Sequence, residues 1–300
     1  MNLPLMLLAA NPVSHVTDKP VIQTQVGGVD LWVVSNVTVM LVASAVVTAL
    51  LVIPAARRIQ TGRHRTVEDF RAQGTLANLV ESVCVYLRDE VFHGVLEDQT
   101  DRFAPMLWTF FWYILVCNLM GLIPILDMTA MLGWGYHGHG IGGTATQSIW
   151  VTGGLAAVSF VFYNVTAIVK DPLGYLKHLT GGAPVLMWPI MVPVEIMGTL
   201  IKPFALAIRL FANMTGGHLV IAVLLSFVGP VVAALGNVGL PVAGVSILGA
   251  AAINFLEILV AFIQAYIFTF LTCLFLGQLV VHEHEEHKEH DSPHGQPVAV

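Results

Sequence analysis

Long apolar stretches, separated by short polar segments, dominate the pattern along the chain. Five of them can cross a hydrocarbon core of about 30 Å as helices with a rise of about 1.5 Å per residue. These stretches are residues 31–53, 103–126, 149–169, 185–228 and 242–281. The pattern therefore predicts an all-α polytopic membrane protein with about five crossing helices.

The segment of residues 76–96 has a different pattern, in which apolar positions recur at a helical spacing. Its apolar positions include Leu76, Leu79, Val80, Val83, Leu87 and Val91. Charged side chains such as Glu81, Arg88 and Asp89 lie between them, which is too many charges for a crossing helix. We expect an amphipathic helix that lies along the cytoplasmic interface or against partner subunits.

The last two apolar stretches are much longer than a perpendicular crossing requires. Residues 185–228 would extend about 66 Å as a helix, and residues 242–281 about 60 Å. Transmembrane helices tilt by about 20° on average and by up to about 40°. The lengths therefore predict two long, strongly tilted neighbours that are joined outside the membrane.

The distribution of basic residues predicts the orientation of the crossings. The densest basic cluster follows the first crossing and consists of Arg57, Arg58, Arg63, Arg65 and Arg71. Cytoplasmic segments carry such an excess, whereas the loop of residues 127–148 has no Lys or Arg and is predicted to be external. We expect an external N-terminal segment (residues 1–30), a single membrane domain (residues 31–281) and a cytoplasmic tail (residues 282–300).

Composition supports a membrane protein and argues against several other classes. Hydrophobic residues make up 56% of the chain and charged residues 11%, with a mean hydropathy of +0.78, whereas soluble domains have about 25% charged residues. The net charge of −6 argues against a nucleic-acid partner. Three widely spaced cysteines favour neither a disulfide framework nor a zinc site. No GxxxxGK[ST] motif is present, so we expect no ATPase activity in this chain.

Two segments of the chain contain histidines that are candidates for metal binding or pH sensing. His137 and His139 lie in the glycine-rich loop without an evident third ligand, which favours a solvated loop over a metal site. The tail has five histidines interleaved with acids, and such biased, charged ends are usually disordered. We therefore predict a disordered tail, with metal binding or pH sensing as the alternative, and no metal or cofactor in the protein.

Three charged residues interrupt the fourth apolar stretch. Glu195, Lys202 and Arg209 are spaced at intervals of seven residues, which places them on one stripe of a helix, and Asn213 and Gly216 continue that stripe. A charge at membrane depth costs about 2.5–3.5 kcal/mol or more, so such residues usually face a bundle interior or a water-filled pathway. The alternative is two short spans with KPFALAIR as a surface loop, but the usual turn dipeptides are missing there.

Depth along the two long helices predicts which polar residues meet. Arg209 and Gln264 lie near the middle of their helices, while His218 and Glu257 both lie toward the outside. His and Glu exchange protons near neutral pH when their surroundings shift their pKa values, whereas Arg stays charged. For Asn213 and Gln264, a purely structural amide is an equal alternative.

The two helices also carry a family resemblance. The run PFALAIRLFANMTGGHL, with Glu195 and Lys202 before it and ILVAFIQAYIFTFL after Glu257, resembles subunit a of the F-type ATP synthase. CNLMGLIPI at residues 117–125 resembles the second full crossing of that family, and the match covers about residues 31–281. The resemblance implies a stator subunit of a bacterial inner membrane, with the ring of c subunits, the peripheral stalk b subunits and the rest of the synthase as partners.

The family's mechanism implies roles for these residues. Arg209 would separate two aqueous half-channels that load and unload protons on the ring carboxylates. The residues of the inlet side would be His218, Glu257, Asn213 and Gln264, and those of the outlet side Glu195 with Lys202 on the same stripe. Many bacterial relatives have Glu at the position of His218 and His at that of Glu257, and this exchange keeps one acid and one base together. The ring largely determines whether protons or sodium ions are carried.

Two other classes of protein predict different features. A secondary transporter would show repeat symmetry and broken helices in both halves, but the chain has no second copy of the Arg209 motif. A purely structural scaffold would not need Arg209 and Glu257 inside lipid. The sequence favours the synthase subunit over both.

Overall fold

The computed structural model describes residues 20–26, 29–58, 74–123, 135–136, 139–140, 145–170, 172, 174–175, 180, 185–226 and 228–280. The helices in these ranges are α1 (Asn36–Arg58), α2 (Thr75–Tyr86), α3 (His93–Leu96), α4 (Thr100–Leu122), α5 (Ile149–Lys170), α6 (Trp188–Ser226), α7 (Val228–Leu235) and α8 (Leu240–Val280). Two small antiparallel hairpins accompany them, β1 (Pro20–Val26) with β2 (Val29–Ser35) and β3 (Gly135–Tyr136) with β4 (His139–Gly140).

Five runs of helix in the described ranges are long and apolar enough to cross a membrane. They are Asn36–Arg57, Thr75–Leu122, Ile149–Lys170, Trp188–Ala234 and Leu240–Gln278. The predicted all-α polytopic membrane fold is confirmed. The strong tilt of the last two helices, the orientation of the crossings and the division into domains stay predictions. The histidine-rich tail and His137 lie outside the described residues, while His139 begins β4.

The predicted start of the first crossing at Leu31 is wrong. Residues 31–35 belong to β2, and helix α1 begins only at Asn36. Val26 pairs with Val29 across a Gly-Gly sequence, a dipeptide that favours tight hairpin turns. The β-branched and aromatic residues of β2 suit a paired strand, so the apolar run continues from a strand into a helix.

The predicted end of the fourth stretch also needs correction. Gly229 and Pro230 after the fourth stretch predict a connection that runs through Pro241, but the structure has helix α7 at Val228–Leu235. Pro230 is the third residue of this helix, where a backbone N–H has no intrahelical acceptor to lose. A short 3₁₀ segment (Gly236–Gly239) then leads into α8.

The predicted amphipathic helix is present and contains a π-helical segment. Leu87–Phe92 is π-helical and joins α2 to α3. Arg88 in this segment pairs with Asp101 at 2.7 Å, and both side chains are largely exposed. On the other face, the Trp108 indole N–H donates to the Cys84 carbonyl at 3.0 Å, which attaches α2 to α4.

The chain forms two compact units, and the first comprises Met1–Ile53, Phe111–Gly154 and Leu206–Tyr266. Within it, the Tyr113 hydroxyl of α4 donates to the Leu41 carbonyl of α1 at 3.3 Å. The Asn118 side chain of α4 donates to the Ala261 carbonyl of α8 at 3.5 Å. These contacts hold the central parts of three helices together.

The second unit comprises Pro54–Phe110, Leu155–Ala205 and Ile267–Val300. Aromatic side chains join its helices. Phe103 of α4 meets Phe162 of α5 edge to face at 6.3 Å, and Phe110 of α4 lies 5.9 Å from Phe268 of α8, measured between ring centroids. Such pairs stabilise packing by about 0.5–1.5 kcal/mol beyond their buried area.

Candidate functional site

Helices α6 and α8 meet side by side within the first unit. The Asn213 amide of α6 donates to the Gln264 Oε1 of α8 at 3.4 Å. Farther along α6, Leu224 lies close to Gly249 of α8, where an added Cβ would be 3.7 Å from the Leu224 side chain. Residue numbers rise along one helix as they fall along the other, so the two helices run antiparallel in this contact.

The carboxyl group of Glu257 lies against the backbone of Gly217 in this contact. A Cβ added to Gly217 would lie 2.5 Å from the Glu257 Cδ and 2.8 Å from its Cγ, closer than real carbon atoms approach. The absence of a side chain at Gly217 therefore admits the Glu257 side chain beside α6. Since His218 follows Gly217 directly, the contact brings Glu257 to the turn that carries the half-buried imidazole.

Polar atoms in this contact are buried without protein partners. Glu257 is 5% exposed and Gln264 is 2% exposed. Among the described residues, neither Glu257 carboxyl oxygen nor the Gln264 Nε2 has a hydrogen-bond partner. A buried polar group without a partner costs about 1–3 kcal/mol. These groups therefore reduce stability, which calls for another reason for their presence.

Arg209 lies one helical turn before Asn213 and is exposed. A neighbouring face of α6 is packed, with buried Leu206, Ala207, Leu210 and Met214. Within the described ranges, the guanidinium makes no hydrogen bond or ion pair. An exposed permanent cation on an apolar helix is suited to an anionic partner that comes from outside the chain.

Glu195 and Lys202 lie on the same helix but belong to the second unit. Both are half-buried. The Lys202 Nζ lies 4.8 Å from the centroid of the Phe275 ring, a cation–π contact with α8. Helix α6 runs unbroken through both residues, so the alternative of two short spans with KPFALAIR as a surface loop is wrong.

The sequence did not single out Gly217, which the structure places against the Glu257 side chain. A glycine inside a helix costs about 1 kcal/mol relative to alanine, so the Gly216–Gly217 pair in α6 was a signal of close approach. A lone amide in an apolar helix such as Asn118 favours a bond to a neighbouring helix, and its side chain donates to the Ala261 carbonyl of α8. Its Oδ1 also accepts from the Thr146 hydroxyl at 3.0 Å, a contact that the sequence did not predict.

Comparisons with known proteins identify the family of the chain. The family model described as ATP synthase A chain matches residues 37–277, which include α6 and all but the last three residues of α8. The chain belongs to this family. A relative from Chloroherpeton thalassium, ATP synthase subunit a, is 39% identical over 267 residues, which cover 89% of this chain and 72% of the relative.

Two further relatives carry the same name. ATP synthase subunit a of Myxococcus xanthus is 41% identical over 229 residues, covering 75% of this chain and 68% of the relative. That of Chlorobium phaeobacteroides is 36% identical over 270 residues, covering 89% and 70%. The chain is therefore a multi-pass subunit of an F-type ATP synthase and belongs to the proton-translocating membrane sector of that complex.

Proposed function

We propose that this ATP synthase subunit provides two aqueous half-channels that load and unload protons on the carboxylates of a rotating c-ring. The subunit contacts the c-ring through the face of α6 that carries Arg209, and the peripheral stalk b subunits hold it still. It lies in a bacterial inner membrane with its N-terminus outside and its C-terminus in the cytoplasm. The proton gradient is thereby coupled to ATP synthesis.

The contact between α6 and α8 supports this proposal most strongly. The contact places Glu257 against Gly217 and includes a hydrogen bond from Asn213 to Gln264. These residues form a short series of polar groups between two apolar helices. Their unpartnered atoms oppose folding stability. A path that passes protons to and from water gives these atoms partners during transport, which a packing role does not.

The chemistry of each residue suits one step of the path. Glu257 and His218 accept protons that arrive from outside, and the amides of Asn213 and Gln264 orient the groups between them and the ring. Arg209 favours the ionised form of the ring carboxylate because opposite charges attract. Since arginine does not give up its proton, it cannot relay one directly across the membrane.

The outlet side lies around Glu195, with Lys202 on the same stripe of α6. A proton that leaves the ring carboxylate passes there to the cytoplasm. Each charge that crosses supplies about 2.3 kcal/mol per 100 mV of membrane potential. Several protons are therefore required for each ATP.

Replacement of Arg209 tests the proposal directly. ATP-driven proton pumping is measured in vesicles that contain the whole synthase with Arg209→Ala, after the amount of assembled complex is determined. Arg57→Ala, at the exposed end of α1, is the matched control. We expect Arg209→Ala to abolish pumping in an assembled complex and Arg57→Ala to retain it. Normal pumping by Arg209→Ala would overturn the proposal.

A further inference from the structure

Helix α6 contains a proline between its two functional regions. Pro203 lies between Glu195 and Arg209 inside the helix. Proline has no backbone N–H, so the carbonyl four residues earlier loses its donor within the helix. That carbonyl belongs to Thr199, which lies between Glu195 and Lys202. A carbonyl in an apolar region requires a donor from elsewhere.

Tyr163 of α5 supplies that donor. Its hydroxyl donates to the Thr199 carbonyl at 3.5 Å. Tyr163 is only 2% exposed, and a buried phenol also needs a partner for its hydroxyl. The two requirements are met by one hydrogen bond, which attaches α5 to the turn of α6 that proline has opened.

Two further contacts fix this turn of α6, one with α8 and one within α6 itself. The Phe275 ring of α8 lies 6.0 Å from the Tyr163 ring, between centroids, and also meets the Lys202 ammonium. The Thr199 hydroxyl donates to the Glu195 carbonyl at 2.9 Å. Tyr163 and Phe275 therefore hold the turn that separates the two charged residues of the proposed outlet.

We infer that Tyr163 is a positioning residue for the outlet side, and that its hydroxyl replaces the donor missing at Pro203. The inference rests on the proposed function, since it assigns Tyr163 to the outlet that contains Glu195. Tyr163 transfers no proton in this role. It fixes the position of the turn from Thr199 to Lys202 against α5, and so the positions of Glu195 and Lys202 on either side of the Thr199 carbonyl.

A double-mutant cycle tests this inference. Tyr163→Phe removes only the hydroxyl, and Pro203→Ala returns an N–H that can bond the Thr199 carbonyl within the helix. ATP-driven pumping per assembled complex is measured for the unmodified synthase, both single variants and the double variant. We expect Tyr163→Phe to lower pumping about fivefold, the scale of one hydrogen bond. The same substitution should have no effect when Pro203→Ala is present.

Tyr175→Phe is the matched control, because the Tyr175 hydroxyl donates to the Asn164 side chain at 2.8 Å rather than to α6. It should retain pumping. The thermal stability of the assembled complex is measured on the same variants. If Pro203→Ala pumps too poorly for comparison, the same cycle is evaluated from these thermal stabilities. Equal effects of Tyr163→Phe with and without Pro203, or no effect in either, would overturn the inference. Arg209→Ala pumping normally would instead overturn the proposed function.

Discussion

Two helix contacts, one in each unit, differ in whether their buried polar side chains have hydrogen-bond partners. In the second unit, the Thr272 hydroxyl donates to the Phe268 carbonyl at 2.9 Å and reaches the Ser159 hydroxyl at 3.4 Å. In the first unit, the Glu257 carboxyl and the Gln264 Nε2 have no partner within the described ranges. Bonded groups stabilise helix packing, with about 0.6 kcal/mol typical between membrane helices. Unbonded groups cost stability, so the difference separates residues that hold helices from residues proposed to handle protons.

The largest effect on this comparison is expected from Glu257→Gln. The substitution keeps the shape of the side chain but removes its ability to exchange a proton, so pumping should fall about a hundredfold, the lower range for loss of an acid–base group. Glu257→Asp, which keeps a carboxyl group, should retain part of the activity. ATP-driven pumping per assembled complex is the measurement. A Glu257→Gln complex that pumps at the normal rate would show that the unpartnered carboxyl has no transport role.

A smaller effect is expected from Gly217→Ala. The new methyl group would overlap the Glu257 side chain and displace it, so we expect pumping to fall about tenfold, equivalent to about 1.4 kcal/mol. Glu257→Asp shortens the opposing side chain and should restore part of the loss. Gly244→Ala in α8 is the control, since an added Cβ there meets nothing within 4 Å. Equal pumping by both alanine variants would contradict a steric role for Gly217.

Asn118→Leu should affect stability more than transport. The substitution leaves the buried Thr146 hydroxyl without its acceptor, and it removes the donor to the Ala261 carbonyl. We expect a loss of about 1–3 kcal/mol, measured as the thermal stability of the complex in detergent. Thr146→Val in the Asn118→Leu background should cost less than it does alone. Additive losses would show that the two side chains are not coupled.

The smallest effect is expected from Thr272→Val in the second unit. The side chain keeps its shape and loses two hydrogen bonds, so stability should fall by about 0.6 kcal/mol while pumping stays unchanged. Thermal stability and pumping are measured on the same preparation. A strong loss of pumping in an assembled Thr272→Val complex would remove the distinction between the two helix contacts.

Most of the helices follow from the apolar pattern of the sequence. The strand before α1 and the short helix α7 do not. The crossings at residues 103–126 and 149–169 were predicted within a few residues, the first because Arg102 and Asp127 bound it and the second because a glycine-rich loop precedes it and Lys170 follows it. The start of α1 was missed because residues 31–35 are apolar enough for a helix and β-branched enough for a strand. Helix α7 was missed because the Gly229–Pro230 dipeptide indicates a turn. The sequence does not show that both residues lie in the first turn of a helix, where proline is tolerated.

The site was only partly predictable, for a related reason. Charged residues such as Arg209 and Glu257 stand out in apolar helices, and their family resemblance assigned them roles. Gly217 and Tyr163 do not stand out, because each depends on a contact with a distant segment. The Tyr163 hydroxyl matters only beside a carbonyl that Pro203 has left without a donor, and no sequence spacing reveals that pairing.

The π-helical segment of the amphipathic helix has a consequence for changes in chain length. A π-helical turn takes up an extra residue within an α-helix without unwinding it. Before the segment, the Cys84 carbonyl accepts a hydrogen bond from the Trp108 indole. The fully buried Phe92 is the last residue of the segment, and the fully buried Leu96 follows it. Deletion of one residue among residues 87–91 would return the segment to α-helix and leave Cys84 and Phe92 facing as they do now. The same deletion within α2 would rotate every later side chain by about 100°, so this part of the chain tolerates a deletion at one place and not at its neighbour.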